Sequence, residues 1–405
     1  MHGVVFVAPF FLETTLRFVD AVASLPGVYL GLVSQDPAER LPPGLRAKLA
    51  AHWRIDDGVD PDQIRVGVDR VGARLGGVHR LLGTLEQLQV PLAEVRERLG
   101  IEGMGVEAAR NFRDKARMKS VLREHGLPCA RHRLVGSASE AREFAGEVGF
   151  PIVVKPPAGA AAKDTFRVDD KDALGQCLAR FPSGPVLLEE FITGEEHSFD
   201  CVTVRGRPVW HSMTRYLPAC LDVMRNPWIQ WCVLLPREID DPRYGAIRDA
   251  APRALAALGI GTGLSHMEWF RRADGSVAIS EVGARPPGAQ FTTLISYAHE
   301  IDLYRAWARL VVFETFDPPP RHFAAGIAFL RGQGRGRVFA IHGLDQAHRE
   351  IGPLIVEAKL PTIGQTPGGG YEGEGYVVLR HPDTGAVERA LGRLVDLVRV
   401  ELRES

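Results

Sequence analysis

Two glutamates that face each other across a predicted β-hairpin have the residue type and spacing for metal chemistry. Asp274–Gly275 is a two-residue turn signal between two alternating runs, so it predicts the hairpin. If these two residues form the turn, Glu268 lies directly opposite Glu281. Counting along the same strands places Phe270 opposite Ile279. Opposed carboxylates destabilise a sheet unless they share a proton or a divalent cation, and a solvated hairpin with two unrelated glutamates is the alternative.

The bulk properties of the chain exclude several classes of function. At 405 residues it is too long for one hydrophobic core, so two or three domains are expected. A net charge of −1 excludes strong attraction to nucleic acid or to an anionic membrane. No apolar run is long enough to span a bilayer. The start of the chain reads as a buried strand, and five scattered cysteines lack disulfide or metal spacing, so we expect a cytoplasmic protein.

The hydrophobic pattern changes along the chain and divides it into regions. Residues 1–110 alternate between β and α patterns and resemble a small Rossmann-like sheet. No glycine fingerprint follows the first strand, which argues against a nicotinamide oxidoreductase. Single helices are predicted over 111–125 and 293–313, and antiparallel β-structure begins at about residue 150. A run of three prolines precedes the tail, 321–405, which reads as a small β-rich module.

Basic and small residues in the central region have the chemistry needed to bind phosphate. Lys155 ends an apolar strand, so its stem is buried and its ammonium group requires an anion. The loop that follows holds Gly159 and Lys163 among alanines, and small residues let backbone N–H groups approach phosphate oxygens. Lys115 lies in a charged predicted helix before this region. The alternatives are a solvated helix face, a lysine that reaches solvent from a strand end, and an ordinary surface turn.

The order and spacing of these segments resemble the ATP-grasp superfamily, and the layout resembles its biotin-carboxylase-like carboxylate–amine ligases, such as L-amino acid ligases. The fold class that this resemblance implies is α/β and α+β multidomain. It implies a Rossmann-like pre-ATP-grasp domain at 1–110 and an ATP-grasp domain at 111–320. The small lobe of that domain would cover about 125–192 and the large lobe about 193–320. A small β-rich C-terminal module would follow at 321–405.

The resemblance also implies how the nucleotide is held. The family contacts phosphates with basic side chains and a small-residue loop, the adenine edge with the linker between the lobes, and the ribose with an acidic side chain. Carried over to this sequence, the phosphate ligands are Lys115, Lys155, Gly159 and Lys163, the adenine ligands are Glu190, Phe191 and Ile192, and the ribose ligand is Glu196. Glu189 and Glu195 stay open as substitutes one residue away.

For the metal, the family pattern is a glutamate followed by Glu-x-Asn-x-Arg. It implies that Glu268 and Glu281 hold Mg²⁺, with Mn²⁺ as an alternative ion. It also implies that Arg285 stabilises an acyl-phosphate intermediate. The catalytic residues that the resemblance implies are Arg285 and the phosphate ligand Lys155. This chain has Gly283 where the family has asparagine, so one metal ligand is missing or is replaced by water.

The substrate-side residues follow from less specific signals. His211 and Arg215 end a strand that faces the reacting site in relatives, and with Arg285 and Gly288 they are the candidate substrate ligands. Trp228 lies in the aromatic stretch 217–235, which caps the pocket or belongs to the core. Both interpretations stay open.

The resemblance predicts an ATP-dependent ligase that joins a carboxylate to an amine and releases ADP and phosphate. The expected partners are small-molecule carboxylate and amine substrates, with amino acids as the first candidates, and neither nucleic acid nor membrane. A homodimer is also expected. The alternatives are a carboxylase or carbamoyl-type enzyme that uses bicarbonate and an inactive nucleotide-binding relative.

Overall fold

The N-terminal region is a parallel sheet flanked by helices. The computed structural model describes residues 2–159, 164–181, 184–226, 228–368 and 370–404, so the predicted phosphate ligand Lys163 lies outside the described residues. The sheet order is β3-β2-β1-β4, and its central strands are apolar and buried on both faces. The elements are β1 (His2–Val7), α1 (Glu13–Ala23), β2 (Val28–Ser34), α2 (Pro43–Arg46), β3 (Ala51–Arg54), α3 (Pro61–Leu75), β4 (Arg80–Leu82) and α4 (Gln89–Leu99).

The next region is a four-stranded antiparallel sheet with helices on one side. Its order is β5-β8-β6-β7, and its apolar face packs against α7 and α8. The elements are α5 (Val106–Arg113), α6 (Lys115–Glu124), β5 (His132–Val135), α7 (Ala138–Val148), β6 (Ile152–Lys155), β7 (Phe166–Val168), α8 (Lys171–Leu178) and β8 (Val186–Glu190).

The remaining residues build one large antiparallel sheet and a small three-stranded one. The large sheet has the order β13-β12-β9-β10-β11-β14-β18-β17, and the small sheet has the order β15-β19-β16. The first elements are β9 (Glu195–Val204), β10 (Arg207–Leu217), α9 (Cys220–Arg225), β11 (Trp231–Leu235), α10 (Gly245–Leu258), β12 (Gly263–Arg271), β13 (Val277–Gly283), α11 (Phe291–His299) and α12 (Leu303–Phe313). The last are β14 (Ala324–Leu330), β15 (Gly332–Gly334), β16 (Arg337–His342), α13 (Leu344–Ile351), β17 (Ile355–Lys359), β18 (Gly375–His381), α14 (Thr384–Leu397) and β19 (Arg399–Arg403).

This architecture confirms the predicted fold class, a multidomain α/β and α+β protein with a Rossmann-like N-terminal sheet. The large sheet continues across residue 320, because β14 pairs with β11, and β18 and β17 then extend the sheet from β14. The domain boundaries given above stay predictions. None of the helices in the described part of the chain has the length and apolar character needed to span a bilayer.

Two helices predicted as continuous are interrupted. The predicted helix over 111–125 is wrong because Asp114 leaves the helical conformation and its carboxylate accepts hydrogen bonds from the amides of Ala116 and Arg117. Lys115 therefore becomes the first residue of α6. The predicted helix over 293–313 also divides, since Glu300 adopts a left-handed backbone with φ of 55° before α12 begins.

The predicted hairpin exists, but its turn differs from the prediction. The turn is a three-residue loop, closed by a hydrogen bond of 2.9 Å from the Arg272 amide to the Ser276 carbonyl. This shifts the pairing by one residue, so Phe270 faces Ala278 and the predicted partner Ile279 is wrong. A bulge at Ser280 then restores the register.

The two glutamates are consequently paired as predicted, with Glu268 directly opposite Glu281. The bulge is held from outside the hairpin, because the Ser280 carbonyl accepts a hydrogen bond of 2.9 Å from the Lys119 ammonium group.

The start of α7 offers a test of the local structure. Ser137 and Glu140 form a capping box, in which each side chain accepts a hydrogen bond from the other residue's amide. We expect Ser137→Ala to lower the local stability of α7 by about 1 kcal/mol, measured as faster amide hydrogen exchange in that helix. Ser139→Ala, an exposed substitution at the second residue of the same helix, is the matched control. Equal exchange rates in the two variants would contradict the cap.

Candidate active site

A cleft of about 450 Å³ opens between the four-stranded sheet and the β12–β13 hairpin. Both predicted metal ligands, Arg285 and every described residue predicted to bind the nucleotide line this cleft. The cleft has a linker end near Phe191, a charged centre at the two paired glutamates, and an aromatic end beyond them. The predicted site residues converge because β6, β8, β12 and β13 all contribute one strand face to the same space.

The floor of the charged centre is a buried cluster of two lysines and a glutamate. The Glu189 carboxylate lies 2.9 Å from the Lys155 ammonium nitrogen and 3.4 Å from that of Lys119. Burial alone would raise the pKa of Glu189, but the two lysines outweigh it and the pKa is lowered. Burial alone would likewise lower the pKa of Lys155, and the carboxylates of Glu189 and Glu281 raise it instead. The cluster therefore keeps Lys155 charged beneath the cleft.

Lys115 joins the phosphate loop to the hairpin. Its ammonium group forms an ion pair with Glu281 and donates a hydrogen bond of 3.3 Å to the Gly159 carbonyl. Burial alone would raise the pKa of Glu281, but Lys115 and Lys155 lower it to about 2. Glu281 is thus an anion close to two cations. Lys115 also holds the loop that carries Gly159 beside the Glu281 carboxylate.

Glu268, the second predicted metal ligand, lies in a different environment. The Tyr216 hydroxyl donates a hydrogen bond of 3.4 Å to Glu268. The nearest ring nitrogen of His266 is 3.8 Å from the same carboxylate, and the other ring nitrogen lies 2.7 Å from Asp200. Burial alone would lower the pKa of His266, but the Asp200 and Glu268 carboxylates raise it to about 9. His266 therefore supplies a positive charge on one side of Glu268.

Arg285 is tied to the N-terminal region. Its guanidinium Nε donates a hydrogen bond of 2.5 Å to the Glu86 carboxylate, and Nη1 donates one of 2.9 Å to the Pro286 carbonyl. Gly283 leaves room for this contact, since a Cβ atom there would stand 3.2 Å from the Glu86 Oε2 atom. The position where the family has asparagine is thus adjacent to a carboxylate from another part of the chain.

The linker end of the cleft is flat and partly apolar. The Arg167 guanidinium group stacks over the Phe191 ring at 4.5 Å from its centroid. The Glu190 side chain is turned to Arg131, which donates a hydrogen bond of 2.5 Å to it. Among the backbone hydrogen bonds of the described residues, none uses the Ile192 amide, so that donor is open to a ligand. A backbone donor beside a stacked ring suits a purine base.

Glu196 is a buried carboxylate at the side of the cleft. It accepts a hydrogen bond of 2.7 Å from the Cys220 amide, at the start of α9. Burial, followed by the negative charge of Glu268, raises the pKa of Glu196 to about 8. Of the two substitutes left open, Glu195, the alternative to Glu196, does not line the cleft, whereas Glu189, the alternative to Glu190, lines it and belongs to the lysine cluster.

Two predicted substrate ligands require correction. His211 and Arg215 lie on the face of β10 that points away from the cleft, because side chains alternate along a strand and Tyr216 takes the cleft face. The His211 ring stacks on Phe199 with centroids 5.0 Å apart, and Arg215 pairs with Glu388 at 3.3 Å. Both side chains therefore serve packing and surface contacts on the far side of the sheet.

The aromatic stretch has two different environments. Trp231 is buried and lines the aromatic end of the cleft, whereas Trp228 is 63% exposed. Gly288, the remaining candidate substrate ligand, does line the cleft.

Several residues in or beside the cleft could not be identified from the sequence. Tyr371 lies more than 80 residues after Arg285, and Glu86, which contacts Arg285, lies almost 200 residues before it, so local spacing gives no indication of either. Lys119 lies one helical turn after Lys115 in α6 and could have been noticed, because a chain poor in lysine places two on the same helix face.

The donor set at the hairpin fits a magnesium ion that is shared with phosphate. Within the described residues, no three His, Cys, Asp or Glu side chains converge to form a metal site by themselves. Mg²⁺ is commonly bound by one or two carboxylates with waters and substrate phosphates completing the octahedron. Glu268 and Glu281, directly opposed and beside Lys115, would hold the ion in that way.

Comparisons with known proteins agree with this geometry. Residues 120–299 match the family model of the ATP-grasp domain, which confirms the resemblance seen in the sequence. The chain is 24% identical over 282 residues to the L-arginine-specific L-amino acid ligase of Bacillus subtilis, covering 66% of this chain and 67% of that protein.

Two solved structures have the same fold. An L-amino acid ligase from Bacillus licheniformis has a TM-score of 0.81 at 18% identity, covering 100% of this chain and 99% of that one. A Hydrogenobacter thermophilus 2-oxoglutarate carboxylase biotin carboxylase domain, solved with MgADP and bicarbonate, has a TM-score of 0.69 at 15% identity, covering 98% and 90%.

The raised pKa of Glu196 predicts a pH-dependent gain in stability for Glu196→Gln. The folded-state pKa of about 8 lies above the ordinary value of 4.5, so the wild type loses stability as the pH rises between these values. The glutamine keeps the acceptor for the Cys220 amide and carries no charge. We expect the variant to be more stable than wild type at pH 8, by on the order of 1 kcal/mol or more, and equal to it at pH 4.

This comparison uses urea unfolding without nucleotide and with EDTA present. Glu195→Gln, at the exposed neighbouring position, is the control and should match wild type at both pH values. A Glu196→Gln variant that is less stable than wild type at pH 8 would show that the ionised carboxylate is favourable at this position.

Proposed function

Because the chain carries an ATP-grasp domain over residues 120–299, we propose that the protein is an ATP-dependent carboxylate–amine ligase. It forms an amide or peptide bond through an acyl phosphate and releases ADP and phosphate. The observation that carries this proposal is the convergence of Glu268, Glu281, Lys115, Lys155 and Arg285 on one cleft. Relatives named as amino acid ligases support the reaction class.

The nucleotide fits the cleft from its linker end to its charged centre. The base would lie against Phe191 and the Ile192 amide, and the ribose hydroxyls would reach Glu196. The phosphates would then lie over Lys155 and Lys115, whose charges are now balanced by Glu189 and Glu281. Anionic phosphate can replace a carboxylate as the partner of a lysine without leaving a buried charge unpaired.

The metal is the second element of the proposal. Mg²⁺ bound to Glu268 and Glu281 would neutralise the charge that develops on the transferring phosphoryl group. With the ion bound to Glu281, the Lys115 ammonium group would be available to a phosphate oxygen. A solved structure of the same fold that contains MgADP supports this ion. Mn²⁺ as an alternative, amino acids as both substrates and a homodimer stay predictions.

The residues of the chain position the reactants and exclude water. Lys155 and Lys115 orient the γ-phosphate while the substrate carboxylate attacks it, forming the acyl–oxygen–phosphorus bond and releasing ADP. Arg285, fixed by Glu86, stabilises the negative charge of the acyl phosphate. The amine then attacks the carbonyl carbon, the tetrahedral adduct collapses, and phosphate leaves.

A bicarbonate-dependent carboxylation is the second candidate function. It is favoured by the fold that the chain shares with a biotin carboxylase domain solved with bicarbonate. The aromatic end of the cleft argues for the ligase, because bicarbonate has no side chain that would occupy the space beside those rings.

The products of the reaction test the proposal. We expect the protein, ATP and Mg²⁺ to release ADP and phosphate in the presence of a mixture of amino acids, with an amide product detected by mass spectrometry. Bicarbonate alone should not replace the carboxylate substrate. Release of AMP and pyrophosphate would contradict an acyl-phosphate mechanism, and bicarbonate-dependent phosphate release without an amide product would favour the second function.

The metal role of Glu281 is tested by Glu281→Gln. Glutamine keeps the volume of the side chain and removes its charge, so the metal ion and the Lys115 ammonium group would both lose the carboxylate at this position. We expect kcat to fall by about 100-fold or more while the circular dichroism spectrum is unchanged. The matched control is Glu195→Gln, a conservative change at an exposed carboxylate outside the cleft, which should stay within about twofold of wild type. Full activity of Glu281→Gln would exclude the metal role.

A further inference from the structure

The aromatic end of the cleft is built from side chains that the reaction itself does not require. Tyr216, Trp231, Phe291 and Tyr371 line it, and their rings contact one another. The ring centroids of Trp231 and Tyr371 are 4.6 Å apart, and those of Tyr216 and Trp231 are 5.5 Å apart. Four rings around one end of a cleft form an apolar wall that suits a flat or bulky apolar group.

Trp231 is the most deeply buried part of this wall. It is 1% exposed and lines the cleft, and its indole nitrogen has no hydrogen-bond partner among the described residues. Its contribution to the aromatic end is therefore the apolar surface of the ring.

The aromatic end begins at the reacting centre. The Tyr216 hydroxyl, which donates to Glu268, belongs to the same ring that packs against Trp231 and Phe291. A substrate whose carboxylate lies beside Glu268 and Arg285 therefore places its side chain among the rings.

Several charged groups near this end have partners. Glu196 accepts a hydrogen bond from a backbone amide, and Glu268 belongs to the candidate metal site. Arg285 is paired with Glu86. Asp222, in α9, also lines the cleft. A charged substrate side chain would have to lie among the rings, where burying a charge is costly.

Tyr371 is held in place by an anchored turn from the C-terminal region. Glu374 accepts hydrogen bonds of 2.5 Å from the Gly332 amide and 3.2 Å from the Gly368 amide. Its own amide donates a hydrogen bond of 2.9 Å to the Leu330 carbonyl. The ring of Tyr371 is thus a fixed part of the wall, and a change there alters the shape of the aromatic end while the rest of the cleft is retained.

Resting on the proposed function, we propose that the carboxylate substrate carries an aromatic or bulky apolar side chain, which binds between Tyr371, Trp231 and Phe291. Tyr371 is a specificity-determining residue supplied by the C-terminal region. The rings exclude water from the side chain, so the apolar contact area sets the preference among acids.

The identity of the acid can be tested without knowing the amine. Hydroxylamine attacks an acyl phosphate and gives a hydroxamate, so each acid is offered singly with ATP, Mg²⁺ and hydroxylamine. We expect kcat/KM for phenylalanine, tryptophan or leucine to exceed that for glycine, alanine, glutamate and arginine by about tenfold or more. Preference for a small or charged acid would overturn the inference and leave the ligase assignment standing. No hydroxamate and no ADP with any acid would overturn both.

Substitutions of Tyr371 distinguish a role in substrate specificity from a purely structural role. We expect Tyr371→Ala to lower kcat/KM for the bulky acids about tenfold and to leave that for glycine within about twofold. Tyr371→Phe keeps the ring and should match wild type. Phe339→Ala, at a half-exposed aromatic residue outside the cleft, is the matched control and should change neither. An equal loss for all acids in Tyr371→Ala would show a structural role only and overturn the inference.

Discussion

Buried lysine–carboxylate contacts are the constraint on which the site depends. A lysine taken out of water needs an anion close by, and Glu189 is that anion for both Lys119 and Lys155. Burial still lowers the pKa of Lys119, whereas the carboxylates raise that of Lys155. Lys119 also donates to the Ser280 carbonyl, the bulge residue that brings Glu281 back into register with Glu268. One buried ammonium group therefore connects the floor of the phosphate site to the geometry of the candidate metal ligands.

Much of the fold and of the site could be predicted because the signals were local and repeated. Alternating or continuous apolar runs identified the strands, and the candidate nucleotide-binding residues, which line one cleft, followed from the order of segments that resemble one family. The opposition of Glu268 and Glu281 was predicted correctly for an incomplete reason, since the turn has three residues and the bulge at Ser280 compensates. Neither the loop length nor the bulge follows from an Asp-Gly pair alone.

What could not be predicted depends on contacts between distant parts of the chain. Asp114 interrupts a helical pattern because its carboxylate caps the next helix. The sequence does not indicate whether such an aspartate lies within a helix or caps one. The face on which His211 and Arg215 lie was misjudged because one residue of register moves a whole strand's side chains to the other side. Tyr371 enters the cleft from a turn whose position is fixed by the final strands of the large sheet.

The contact between Gly283, Arg285 and Glu86 links two positions that are almost 200 residues apart. Any side chain longer than hydrogen at 283 would press on the Glu86 carboxylate, and a bulky neutral residue at 86 would leave the guanidinium group without its anchor. The residue at 283 is therefore coupled to the position of the Glu86 carboxylate and, through it, to the orientation of the Arg285 guanidinium group.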